Sequence, residues 1–144
     1  MESKIPHRET AKGDVLRNLS ESCKKYGLGL GIYVYPGDDT WGTGIGEVTK
    51  DPAKQDGYNK VFRQQMTEVL TQYGPVSEVW FDGSCFINVN DLLEKYASYA
   101  VILQGPMANL RWVGNEDGFA PFSNWYTLNS KDLNRIKLII WNIR

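Results

Sequence analysis

Three short apolar runs, each led by a helical pattern and followed by a polar loop, constrain this chain more than any other feature. The runs are Leu28–Tyr35, Val76–Phe81 and Ala100–Gln104. The first shows little alternation, which fits a strand buried on both faces of a parallel sheet. Ahead of it, residues 14–26 set Val15, Leu16, Leu19, Cys23 and Tyr26 at helical spacing, with Lys24 and Lys25 in the last turn and Gly27 as the left-handed stop. Ahead of the second run, residues 57–73 gather Tyr58, Val61, Phe62, Met66, Val69, Leu70 and Tyr73 on one face, and Gly74-Pro75 ends the helix. A short helix at about 91–98, with Asn90 or Asp91 as its cap, leads into the third run. Strands separated by helices run parallel, since antiparallel neighbours need only a tight turn. The expected class is therefore α/β. Long loops follow strands and short loops follow helices, as in a barrel with its site at the C-terminal strand ends. A doubly wound sheet has the same asymmetry, so the pattern alone does not choose. No GxGxxG or Walker loop follows a strand, which weighs against nucleotide binding.

Length sets the next bound. At 144 residues the chain holds one core, whereas a complete (β/α)8 barrel takes about 250. Hydrophobic residues make up 42% and aromatics 12%, a globular composition. A net charge of −1 offers no field for nucleic acid, and no apolar stretch approaches a membrane span. The first fifteen residues are polar and lack the apolar core of a signal peptide. Localisation stays open, since a secreted parent would carry its targeting sequence upstream. His7 is the single histidine, which argues against a Ser-His-Asp triad or a histidine-based metal site from this chain. Cys23 and Cys85 form neither a disulfide framework nor a zinc spacing, and Cys23 reads as a buried thiol on its helix.

Two carboxylates stand where chemistry is expected. Asp82 closes the strand Val76–Phe81, behind Trp80 and Phe81, and Gly83 lets the chain turn away. Glu116 lies in the loop after the third strand, with Trp112 and Trp125 nearby and Asp117 as its rival. Aromatic side chains stack on the apolar faces of sugars, and a pair of carboxyl groups about 5–5.5 Å apart serves retaining glycoside hydrolysis. An aromatic-walled pocket also raises the pKa of a general acid. Each residue alone reads equally as a turn Asp or a solvated loop Glu. Arg111 suits a sugar hydroxyl or a carboxylate, or else the surface.

At these positions the sequence resembles glycoside hydrolase family 29, the α-L-fucosidases. Val79-Trp80-Phe81-Asp82-Gly83, preceded by Leu70-Thr71-Gln72-Tyr73-Gly74-Pro75, is similar to the family's nucleophile segment. Tyr26-Gly27-Leu28 through Tyr35 is similar to the preceding helix end and strand. Gly105-Pro106 through Gly118, with Arg111-Trp112-Val113-Gly114-Asn115-Glu116, resembles the acid/base loop of the branch that prefers α-1,3/1,4-linked fucose. The likeness spans roughly residues 13–128. It implies a partial (β/α)8 TIM-type barrel with parallel strands, and release of terminal α-L-fucose from fucosylated glycans with retention, without metal or cofactor. Asp82 is then the nucleophile and Glu116 the general acid/base, while Tyr33, Trp80 and Arg111 match positions near the fucose.

The sequence also departs from the family. A His-His-Asp-Gly strand belongs ahead of residue 13 and has no counterpart here, and the stretch at 84–99 is short. The expected organisation is a polar lead (1–12), a partial catalytic α/β barrel (13–130) and a divergent segment (131–144). Such a truncated chain is expected to be poorly soluble or inactive by itself, since an unclosed barrel exposes its edges and interior. The rival readings are another retaining glycosidase, such as an α-galactosidase, and a non-catalytic sugar-binding fragment.

Overall fold

A computed structural model describes residues 13–44 and 46–110. Glu116, Arg111, Asp117, Trp112, Trp125 and His7 lie outside the described residues, as does the segment 131–144. The described elements are α1 (Val15–Tyr26), β1 (Leu30–Val34), a 3₁₀ turn (Pro52–Lys54), α2 (Gln55–Gln72), β2 (Val76–Phe81), α3 (Asn90–Tyr96) and β3 (Val101–Leu103). All three strands are parallel, in the spatial order β1-β2-β3.

Local chemistry accounts for most of these boundaries. Asp14 caps α1 by accepting the Arg17 N–H at 3.0 Å, and Gly27 ends it at φ 68° with Leu28 N–H reaching back to Cys23 O at 2.9 Å. A sidechain-bearing residue at Gly27 would be strained in that conformation. The helix expected at 91–98 begins at Asn90, yet neither Asn90 nor Asp91 is its cap. Val89 occupies that position without a side-chain cap. Asn88, one residue earlier, accepts the Asn90 N–H at 3.0 Å instead.

Packing is one-sided. Tyr58, Phe62, Met66 and Leu70 of α2 and Leu93 of α3 share one core with Leu30, Ile32, Val76, Val79, Phe81 and Ile102 of the sheet. Ile32, Val79 and Ile102 form a cross-strand row within it. Each such side chain contributes about 1.5–3 kcal/mol when fully buried. The alternate residues form the rows Gly31–Glu78–Val101 and Tyr33–Trp80–Leu103 on the other face. There Tyr33 is 64% exposed and Val101 38%. The expectation that the Leu28–Tyr35 strand is buried on both faces is thus corrected, since Gly31 and Tyr33 of β1 are exposed on this side, whereas Leu103 of β3 is buried there. The same holds for α1, where Leu16 and Cys23 touch the core but Val15, Leu19 and Tyr26 face outward. Cys23 is only half-buried.

Two tie points fix the helices. Arg63 of α2 makes paired hydrogen bonds to Asp91 of α3 at 2.9 and 2.6 Å and also donates to Asn88 O. The pair is solvent-exposed, so water and salt screen it and it adds little to stability. Tyr73, buried at the end of α2, donates its hydroxyl to Asp14 at 3.2 Å, and Ser20 of α1 donates to Tyr73 O. At the other side of the sheet, Asn109 imitates a neighbouring strand. Its side chain accepts Ile102 N–H at 2.8 Å and donates to Ala100 O at 3.0 Å, while Leu110 bridges Leu103 in parallel. Among the described residues no helix is long and apolar enough to cross a membrane.

Candidate active site

The C-terminal ends of the strands carry the loops in which the sequence placed its chemistry. Asp82 is the first residue after β2. Its N–H donates to Val34 O at 2.8 Å, which extends the ladder one step and fixes where the side chain leaves the sheet. Gly83 follows at φ 72° and turns the chain away. Asp82 is half-buried. Because side chains alternate along a strand, it continues the uncovered face begun by Glu78 and Trp80.

Tyr33, directly across from Trp80 in the register, completes the cluster. The two rings stand 6.1 Å apart at 44°, a tilted pair with an open apolar surface. The Asp82 carboxylate is the chief influence on the Tyr33 phenol, and their interaction, with burial and the negative charge behind it, pushes the phenol above its ordinary value. Three of the five residues singled out in the sequence are therefore brought together: Tyr33, Trp80 and Asp82. Arg111 and Glu116 lie outside the described residues.

An oriented carboxylate next to an aromatic surface can do two things. Its free electron pairs can attack or stabilise an electron-poor carbon, and the rings can hold the C–H face of a sugar. Trp41, in the long loop after β1, does not belong to this surface. It is partly buried against Gly57 and the Tyr58 ring, 6.0 Å from the latter, and forms part of the core.

Sequence reasoning missed Glu47, which is 3% exposed in the loop after β1. Its carboxylate accepts the backbone N–H groups of Phe86 and Ile87, in the loop after Asp82. Burial pushes this carboxyl above its ordinary value, against the pull of those two bonds. Neither periodicity nor a motif marks a loop glutamate of this kind. Cys85, fully buried beside it, has its thiol pushed up to about 12 by burial first and the Glu47 charge second. Only the thiolate is a good nucleophile. At about pH 8, iodoacetamide is thus expected to modify half-buried Cys23 and to spare Cys85 until the chain unfolds. Peptide mass analysis checks this, and equal modification of both would contradict the described burial.

With the geometry established, the relatives can be placed. A sequence profile described as Alpha-L-fucosidase matches residues 4–132. The chain belongs to the α-L-fucosidase family. It is 32% identical over 127 residues to Alpha-L-fucosidase 1 of Arabidopsis thaliana, covering 81% of this chain and 24% of that protein. A second plant relative, from Oryza sativa subsp. japonica, is 33% identical over 128 residues, covering 81% and 23%. Among solved structures, one of the same family name from Bacteroides thetaiotaomicron VPI-5482 is similar with a TM-score of 0.70 at 28% identity, over 79% of this chain and 29% of that one. The chain thus spans about a quarter of the length of the plant α-L-fucosidases it matches. Asp82, Tyr33, Trp80, Arg111 and Glu116 all fall inside the segment matched by the family profile.

Proposed function

We propose that this chain carries the nucleophile side of an α-L-fucosidase site and that Asp82 attacks the anomeric carbon of a terminal α-L-fucose. A fucosyl ester forms on Asp82 as the bond to the leaving oxygen breaks. Glu116 gives that oxygen its proton and then takes one from the water that releases fucose, so the configuration is retained. Tyr33 orients the Asp82 carboxylate, Trp80 stacks on the sugar, and Arg111 binds a hydroxyl. The substrate class is a fucosylated oligosaccharide or glycoconjugate, with α-1,3/1,4-linked fucose as the preferred linkage. No cofactor enters these steps.

One observation carries the reading: a half-buried carboxylate at a strand's C-terminal end, next to the Tyr33–Trp80 ring pair, on the face that no described helix covers. Sequential strand order with both inter-strand helices on one side favours a partial (β/α)8 barrel over a doubly wound sheet, where the order reverses. Residues 13–130 form this catalytic part, with 1–12 and 131–144 flanking it.

Such an open sector is expected to turn over slowly or not at all, so the test uses a probe that needs no proton. In 2-deoxy-2-fluoro-α-L-fucosyl fluoride, fluoride leaves unaided as the ester bond to the nucleophile forms. The expected result is a fucosyl adduct on the peptide containing Asp82, and none from the galactosyl analogue. An adduct elsewhere, equal labelling by both sugars, or no labelling at all would sink the assignment. Saturable fucose binding without labelling would instead favour the sugar-binding reading, for which the open aromatic pair is the supporting observation.

A further inference from the structure

The loop that follows Asp82 is held from both sides. From the β1 side, Glu47 Oε2 accepts Ile87 N–H at 3.2 Å and also Phe86 N–H. Glu47 is itself fixed, since its N–H donates to Gly44 O at 3.1 Å and its carbonyl accepts from Gln55 Nε2 at 2.9 Å. From the β3 side, Gly105 packs so closely that a Cβ there would lie 2.9 Å from Cys85 N and 2.6 Å from Ser84 Oγ. Val89 N–H points to Met107 Sδ at 3.4 Å.

Backbone strain marks the same rim. The described non-glycine residues with positive φ are Glu47 at 54°, Ser84 at 105° and Gln104 at 69°, one after each strand. Conformations of that kind persist only where the surroundings over-determine them, and they gather at functional sites. Among the described residues no cation pairs with Glu47, so its charge is buried against backbone amides alone. Because burial raises this carboxyl, its ionisation costs stability as pH rises through its midpoint. Stability alone therefore does not explain a glutamate here.

We propose that Glu47 is a positioning residue for Asp82: as an anion it clamps the 83–89 loop and so holds the Asp82 carboxylate against Tyr33. The role rests on Asp82 being the nucleophile, but the contact can be read without turnover. Tyr33 is the reporter, because its phenol is raised chiefly by its interaction with Asp82.

The experiment is a 13Cζ NMR titration of Tyr33 in the full chain, for wild type, Asp82→Asn and Glu47→Gln, with circular dichroism as the check on folding. Asp82→Asn is expected to bring Tyr33 back toward the ordinary phenol value of about 10. Glu47→Gln is expected to shift it the same way, although residue 47 touches neither group. A Tyr33 midpoint in folded Glu47→Gln equal to wild type would overturn the clamp. A second measurement needs no variant: in wild type the Phe86 and Ile87 amide signals are expected to move together with one midpoint above the ordinary carboxylate range. Tyr58 and Cys85 are the other titratable groups facing Glu47, and both ionise far above that range, so the midpoint belongs to Glu47. Amides that do not titrate together would also overturn it. Failed fucosyl labelling with a shifted Tyr33 in Glu47→Gln removes the fucosidase reading and keeps the clamp. Intact labelling with an unshifted Tyr33 does the reverse.

Discussion

Asp82→Asn is expected to abolish fucosyl adduct formation while leaving the fold in place. The amide has nearly the shape of the carboxylate, and the backbone bond from residue 82 to Val34 O is untouched. What disappears is the charge and the nucleophilic oxygen. Removing a nucleophile costs about 10³-fold or more in turnover where it has been measured, and labelling, which needs the ester bond itself, falls to zero. The influence on Tyr33 weakens in the same variant, because a neutral amide lacks the charge that raises the phenol. Loss of the adduct and a lowered Tyr33 midpoint should therefore appear together in one folded protein. An Asp82→Asn chain that still labels would remove Asp82 from the chemistry, whatever the family.

Phe81→Ala, one residue earlier, is expected to act on stability instead. Phe81 has no exposed surface and lies in the single core under α2. Truncating a buried phenylalanine typically costs about 3–5 kcal/mol, as transfer energy plus the cavity left behind. Domains of this size hold only about 5–15 kcal/mol in total, so a large part of the folded population is at stake. Urea unfolding followed by tryptophan fluorescence measures it, with the midpoint falling and the slope unchanged. Tyr33→Ala, one strand position from the core row but on the opposite face, serves as the contrast. It loses only the solvent-exposed ring pair with Trp80, so its urea midpoint is expected to fall much less than that of Phe81→Ala. Equal losses at Phe81 and Tyr33 would mean that the sheet is covered on both faces after all.

Residues 81 and 82 also show how much of this molecule the sequence discloses. The run Val76–Phe81 matches β2 end to end, because apolar content, β-branching and the Asp-Gly stop agree there. For α2, Tyr58, Phe62, Met66 and Leu70 recur at helical spacing and are the residues buried. Gly27 announces the end of α1 through its left-handed backbone alone. Which faces are covered is another matter. Val15, Leu19 and Tyr33 have the hydrophobicity of core residues, and only the positions of other elements decide whether they meet a partner. Burial is a tertiary quantity, so periodicity states a capacity rather than an outcome. The site divides in the same way. Asp82, Tyr33 and Trp80 are candidates that a strand end and a family motif mark in the sequence, and the fold brings them side by side. Glu47 carries no such mark, since its partners lie 39 and 40 residues away in an irregular loop. The cap of α3 escaped for a smaller reason, as Asn88 acts one residue before the expected start.

The amide of Asn109 has a consequence for stoichiometry. By taking up Ile102 N–H and Ala100 O, it leaves no ladder positions there for another chain. Among the described residues neither outer edge of the sheet pairs with a strand, but that of β3 has its groups taken up by Asn109, which leaves the edge of β1. A sheet with one usable edge has a valence of one. Two copies that join through β1 about a two-fold axis use up both edges at once, so edge-to-edge growth ends at a pair instead of running on into a filament.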